Sequence, residues 1–465
     1  MSASAINTIT AATKSVVAEA QGGRSNPFLL MPITLFFALL SVAVLRAPSL
    51  MSASGIGAAI IVVTPLILAT YALMASTIAG RGTIDLSVGP LIGFINVTMI
   101  QLHAAGLLES PIPVFLYCMG VGAAYQLIFS LIVIYVRVQP IIVSLSGYLA
   151  LTGINLVILP RPGGTAPAFM EEWGFGIEIF SPILVILLLA TTAWLLFTAT
   201  AFYTHLRLMG SDERAAYTSG VPITIVRIGA HLISGCFAGL ASICFTALIS
   251  SGDPSQGTTY TLIAVTALVL GGASLGGGRG GVFGSALGAL NLYLITYVLS
   301  SFNFGSVQSF VTNLAYGVIL VISLLMTLLI PVIQRYIRNF SPLLYFVALS
   351  VVVLGIILHA TFDYGSLGAV GVYVPGPFSL QAALTAPLET ASLTTETEAL
   401  RLAAAPLVFS SIILIIVAVF LRLAIGQSSR RTIGPAVAVV VAALALAGAY
   451  VIAEGANTTQ TEVIK

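Results

Sequence analysis

Apolar residues run in stretches of about 20 along most of the chain, with polar and charged residues gathered between them. A stretch of about 20 apolar residues crosses a bilayer as a helix. Ending each run at its flanking charges or turn residues predicts spans near 28–46, 56–79, 86–106, 113–136, 140–159, 181–203, 228–250, 258–275, 282–300, 309–331, 343–359, 405–422 and 435–453. The stretch before the first span, residues 1–27, is polar. It lacks a charged start followed at once by an apolar core, so a short cytoplasmic tail is expected there rather than a cleaved signal peptide.

Composition strengthens this reading. The chain of 465 residues is 58% hydrophobic and 7% charged. Soluble proteins carry about 25% charged residues, and no single globular core could hide this much apolar surface. The fold class is therefore an all-α polytopic membrane protein. The net charge of +2 offers nothing for nucleic-acid binding. Arginines fix the orientation. Arg207, Arg214 and Arg227 share one loop, Arg335 and Arg338 another, and Arg422, Arg430 and Arg431 a third. Counting spans puts all three on the side of Lys14 and Arg24, which is then cytoplasmic. Two external segments are long, 160–181 and 360–402, and both are candidate docking surfaces or solvated loops.

One polar interruption stands out: GRGTIDLSVGP, residues 80–90. Gly80 and Gly82 are poor helix formers, and Asp85 and Ser87 are good N-caps. The chain is expected to break near 80–83 and start a helix near Asp85, with Arg81 in reach of Asp85. Two readings fit: a tight turn at the cytoplasmic surface, or a broken helix lining a cavity. The pattern D-x-S-x-G occurs at 85–89 and again at 253–257, where Pro254 suits a first helical position. The expected topology puts the copies on opposite sides, as in an inverted repeat. A competing match pairs GPLIGFIN (89–96) with GSALGALN (284–291), each preceded by GRG, on one side.

The glycine-rich run 271–290 formally holds G-x-G-x-x-G, but no strand–helix unit surrounds it, so it is no dinucleotide fingerprint. Gly280, Gly284 and Gly288 recur every four residues, as helix-packing stripes in membranes do. The loop 205–227 predicts a short helix over Asp212–Thr218 capped by Ser211, with Gly220 and Pro222 past its end. Such a helix is either a connector or a coupling element. Cys118, Cys236 and Cys244 lie in apolar runs and read as packing residues, with no metal site implied. No P-loop and no nucleophile–His–acid set is present, so an enzyme is not expected.

Three motifs carry a family resemblance: TIDLSVG (83–89), MGSDERAAYTSGV (209–221) and LGGASLGGGRGGVFGSALGAL (270–290). Together with VQPIIVSLSGYLALTGI (138–154), their order and spacing over about 30–338 resemble the membrane permeases of ribose-type (monosaccharide) ABC importers. The resemblance implies a type II-like core of ten helices at 28–338 and alternating access. It implies a second permease copy, an external solute-binding protein, and a cytoplasmic ATP-binding subunit that binds the ATP, with no cofactor in this chain. It puts Asp85, Ser87 and Gly89 near the translocation path or its support, to which the broken-helix reading adds Arg81 and the repeated pattern adds Asp253 and Ser255. It assigns Gly210, Ser211, Asp212, Glu213, Arg214, Ala215, Ala216 and Gly220 to the loop that docks the ATPase. It implies a bacterial cytoplasmic (inner) membrane location and a small neutral solute.

The chain departs from the family twice. Thr261 and Ile263 stand where an acidic pair is usual, and residues 339–465 add about three spans and the 360–402 loop. An ion-coupled secondary transporter, with Asp85 or Asp253 titrating, is the alternative function. A membrane scaffold and a channel are weaker ones.

Overall fold

The structure is a computed structural model that describes residues 29–80, 84–176, 178–302, 311–319 and 321. The expected tail at 1–27, the extension at 339–465 with its three spans and external loop, and Arg81 lie outside the described residues. So does part of the expected span at 309–331, of which 311–319 is helical.

The described chain is helical. The single bridge between extended segments is Gly163 with Gly252. In order the elements are α1 (Leu30–Arg46), α2 (Ala53–Ile78), α3 (Val88–Ala104), α4 (Pro111–Leu131), α5 (Pro140–Ile158), α6 (Ala168–Phe175), α7 (Pro182–Thr198), α8 (Ala201–Ser211), α9 (Glu213–Thr218), α10 (Ile223–Ile249), α11 (Gln256–Leu270) and α12 (Val282–Ser300). Every expected span from 28–46 to 282–300 meets a helix here. The starts carry the expected punctuation. Ser52 accepts from the Gly55 N–H at 3.0 Å, and Pro111, Pro140 and Pro182 open α4, α5 and α7.

Three features differ from the sequence reading. The expected span 181–203 is two helices, α7 and α8, bent by 75°. Thr200 caps α8 by accepting from the Tyr203 N–H at 3.3 Å, which releases α8 from the line of α7. The span ending at Val136 finishes in a π-helical turn, Ile132–Val136, followed by Arg137 in the left-handed region at φ 61°. The stretch 160–181, expected to be an external loop, folds α6 into the body, where Trp173 packs against Phe169 and Phe115.

Five helices among the described residues are long and apolar enough to cross a membrane, or six if the bent pair is one span. Three apolar helices are shorter: α1, α3 and α11, of 17, 17 and 15 residues. At a rise of 1.5 Å per residue, 17 residues reach about 26 Å, short of a hydrocarbon layer of about 30 Å. Both α3 and α11 begin just after a D-x-S-x-G aspartate.

The helices α2 and α10 form the centre. Along α2 the residues from Val63 to Ile78 are all buried. In lipid, helix association depends on close backbone approach more than on apolar burial. On α10 that approach is made by Gly235 and Gly239. A Cβ on Gly235 would strike the Gly122 carbonyl of α4, and one on Gly239 would strike the Cys118 carbonyl. The register, 118 against 239 and 122 against 235, makes α4 and α10 antiparallel. At the edge, α1 packs on α12 through Ile33, Phe36, Phe37, Leu287 and Leu294, and the Asn291 amide donates to the Pro32 carbonyl at 2.9 Å.

Candidate functional site

The two D-x-S-x-G segments form the same turn. The Asp85 Oδ1 accepts from the Ser87 N–H at 2.9 Å and from the Ser87 hydroxyl. The Asp253 Oδ1 accepts from the Ser255 N–H and the Ser255 hydroxyl, both at 2.8 Å, and from the Gln256 N–H at 3.2 Å. An aspartate side chain closing onto the amide two residues on is the turn that this residue favours. Helix α3 then begins at Val88 and α11 at Gln256, each three residues after the aspartate. Pro254 therefore lies in the turn before α11 rather than at its first position.

The two short helices pack against each other antiparallel, at the motif glycines. A Cβ on Gly89 would collide with the Gly257 carbonyl and Thr261, and one on Gly257 with the Gly89 carbonyl and with Gly93. Glycine is required at this crossing by contact. The aspartates sit towards opposite ends of the pair. Asp253 lies beside Asn96 of α3, whose Oδ1 accepts from the Asp253 N–H at 2.8 Å. The same Asn96 amide donates to Thr246 at 2.8 Å and to the Ser251 carbonyl at 3.0 Å.

The Asp85 turn is held from three helices. The Gln126 amide of α4 donates to Asp85 Oδ2. The Ser144 hydroxyl of α5 accepts from the Leu86 N–H at 2.6 Å and donates to the Ile84 carbonyl at 3.1 Å. The Thr261 hydroxyl of α11 donates to the Leu86 carbonyl at 3.0 Å and accepts from the Gly89 N–H at 3.1 Å. Asp85 itself is wholly buried, at 0% exposure. A carboxylate at such depth must be partnered, and each of its oxygens has a donor. Gln126, Ser144 and Thr261 were not singled out as site residues in the sequence. Each lies in a mostly apolar run with other polar residues close by, such as Ser130, Ser146 and Thr259, so nothing set it apart, and Thr261 stood out only as a departure from the family pattern.

The loop 205–227 forms α9 one residue later than expected. Its N-cap is Asp212, whose Oδ1 accepts from the Arg214 and Ala215 N–H groups at 2.9 and 3.0 Å. Ser211 instead ends α8 and donates to the Arg207 carbonyl at 2.8 Å. Gly210 is buried under Ile78 and Gly278, and Gly220 follows the helix at φ 82°. Ala216 faces inward at 3% exposure, while Arg214, Ala215 and Tyr217 face out, Tyr217 at 73%. Glu213 pairs with Arg227 of α10 at 2.9 Å.

The end of α2, the end of α8 and the loop before α12 meet beside α9. The Gly278 N–H donates to the Ile78 carbonyl at 3.1 Å, Arg207 Nε donates to the Gly278 carbonyl at 3.3 Å, and Gly80 (φ 84°) abuts Gly210 and Gly277. The GRG at 80–82 thus begins beside the GRG at 278–280. Of the glycine stripe, Gly284 and Gly288 face Gly271 and Ala267 of α11, while Gly280 precedes α12 and packs on Ile78 and Met74. Among the described residues no three His, Cys, Asp or Glu side chains converge as a metal ion would need. Cys118 and Cys244 are buried and Cys236 is half-buried.

Comparison with known proteins adds an independent line. The family described as branched-chain amino acid transport system / permease component matches residues 33–329. The ribose import permease protein of Bacillus subtilis (strain 168) is 30% identical over 250 residues, 53% of this chain and 76% of the relative. The protein of that name from Escherichia coli (strain K12) is 29% identical over 250 residues, 52% and 76%. The autoinducer 2 import system permease protein of Salmonella paratyphi B is 26% identical over 261 residues, 54% and 77%. No solved structure matches.

Proposed function

The chain belongs to the branched-chain amino acid transport system / permease component family, and on that premise we propose that it is the membrane permease of an ATP-binding-cassette importer for a small neutral solute of the monosaccharide class. The family match over 33–329 is the observation that carries the reading. Relatives are named for import of ribose and of autoinducer 2, and the side chains around both turns are Ser, Thr, Asn and Gln rather than extra charges.

In this reading residues 1–27 are a cytoplasmic tail, 28–338 the ten-helix core and 339–465 an extension with about three spans. The protein lies in the bacterial cytoplasmic membrane with its N-terminus inside. Two permease copies work with an external solute-binding protein and a cytoplasmic subunit that binds ATP. The identical turns at Asp85 and Asp253, and the meeting of Gly89 with Gly257, support an inverted repeat with α3 and α11 as its paired short helices. Asp85, Ser87, Gly89, Asp253 and Ser255 then support the translocation path, and Arg81, outside the described residues, is assigned to the same element from the sequence. The α8–α9 segment, Gly210 to Gly220, docks the ATPase through its outward residues. Gly284 and Gly288 tighten α12 on α11, and Gly280 tightens the preceding loop on α2.

The test is a pull-down from native membranes with an ATPase assay and mass spectrometry of co-purifying chains. Wild type is compared with a variant carrying Arg214→Glu and Tyr217→Asp, both on the outward face of α9. A nucleotide-binding chain that accompanies wild type and is lost from the variant is the expected result. Wild type without any such chain would overturn the reading and turn attention to ion-coupled uptake.

A further inference from the structure

A polar chain runs through the apolar interior from α9 to the Asp85 turn. Glu213 of α9 holds Arg227, which is 7% exposed in the first turns of α10. His231 lies one helical turn further along the same face, wholly buried. Its Nδ1 is 2.9 Å from Gln126 Oε1. The other end of the same amide donates to Asp85.

The register explains how these residues meet. On the α4–α10 seam, position 118 faces 239 and 122 faces 235. One turn on, 126 faces 231, so the amide–imidazole bond continues the glycine contact. Hydrogen-bond direction is fixed along the chain. Gln126 donates from its NH2 to Asp85, so its carbonyl is the end that faces His231. His231 must then donate from Nδ1. Its Nε2 is buried and has no hydrogen-bond partner among the described residues, and Phe129 packs on the ring at 4.7 Å between centroids. Buried polar groups in lipid are costly and have no water to exchange with, so a mere spacer would be better apolar.

We propose that His231 and Gln126 are positioning residues that carry displacement of α9 to the Asp85 turn, linking the ATPase docking helix to the short helix α3. The inference rests on the reading of α9 as the docking helix. The ion pair pulls on the N-terminal turns of α10. The close-packed α4–α10 seam keeps Gln126 with His231, and the Asp85 turn follows. Because Ser144 and Thr261 grip the same turn, α5 and α11 follow with it.

The test uses the purified complex with its co-purifying ATPase, by amide hydrogen exchange with and without ATP plus orthovanadate. In wild type, exchange in peptides covering 213–221 and 84–90 is expected to change, the latter by about fivefold or more. In His231→Leu and in Gln126→Leu the change at 213–221 should remain and the change at 84–90 should vanish. His231→Asn, whose amide can donate where Nδ1 does, should restore it. Glu213→Gln, which weakens the ion pair with Arg227 but leaves His231, Gln126 and Asp85 unaltered, should weaken the response at 84–90 in a fully folded protein. A response at 84–90 that persists in the variants, or one missing in wild type while 213–221 responds, overturns the relay. No response at 213–221 in wild type overturns the docking-helix reading itself, and the relay with it.

Discussion

Thr261 joins the two short helices through one hydroxyl, because it donates to the Leu86 carbonyl and accepts from the Gly89 N–H. A carboxylate at this position could accept but, when ionised, could not donate. Thr261→Val keeps the shape and removes both bonds, leaving two backbone groups unpaired. An unmade buried hydrogen bond costs about 1–3 kcal/mol. The valine variant should therefore melt well below wild type in detergent, whereas Thr261→Ser should stay close to it. Equal melting of all three would contradict the placement of this hydroxyl. Asp85→Asn tests a different property. Its oxygen can still close the turn on Ser87, but its NH2 would confront the Gln126 NH2. The amide must turn over, and the direction of every bond up to His231 reverses. ATP-dependent uptake of whichever monosaccharide wild type imports should fall by about tenfold, about 1.4 kcal/mol in barrier, at normal expression. Uptake at the wild-type rate would show that the direction of the chain is immaterial.

At the scale of elements, glycines divide into those that hold helices together and those that do not. A Cβ on Gly235 or Gly257 would meet backbone atoms of the facing helix, which cannot swing aside as a side chain can. Gly120 and Gly153 are also helical, yet a Cβ there would meet nothing within 4 Å. Overpacking costs about 1–3 kcal/mol, while relief of a mid-helix glycine gains about 0.5–1 kcal/mol. Alanine at 235 or 257 should lower the unfolding temperature followed by size-exclusion after heating, and alanine at 120 or 153 should hold or raise it. The same contrast explains what the sequence made legible. Long apolar runs announced the helices, and the repeated D-x-S-x-G announced two equivalent turns. The bend at Thr198–Ala201 was hidden because no charge, glycine or proline interrupts the run there, and only the Thr200 cap marks it. The partners of the Asp85 turn were hidden because they lie on other helices, Gln126 41 residues from Asp85 and Ser144 58 residues from Leu86. Spacing offered one clue: Gly122 and Gln126 on one run, and His231, Gly235 and Gly239 on another, share a four-residue period.

For the whole molecule, orientation decides which end of the α3–α11 pair faces ATP. In the orientation we propose from the loop arginines α9 lies inside, and α9 adjoins the knot of Gly80, Gly210 and Gly278 from which the chain leads to Asp85. Asp253 and α6 belong to the opposite end, because the Ala166 N–H donates to the Ser250 carbonyl at 3.1 Å and Gly163 bridges Gly252. A thiol introduced at Thr218, the exposed last residue of α9, should react with a membrane-impermeant maleimide only after lysis. A thiol at Trp173 would disturb the aromatic contact with Phe115, so Glu178, exposed beyond α6, is the better external site and should react in intact spheroplasts. The native thiols at 118 and 244 are buried, so only Cys236 needs replacement by Ala to clear the background. The opposite labelling pattern would invert the molecule. The turn gripped by Gln126, Ser144 and Thr261 would then open towards the outside, and a cytoplasmic ATPase could not reach it through α9.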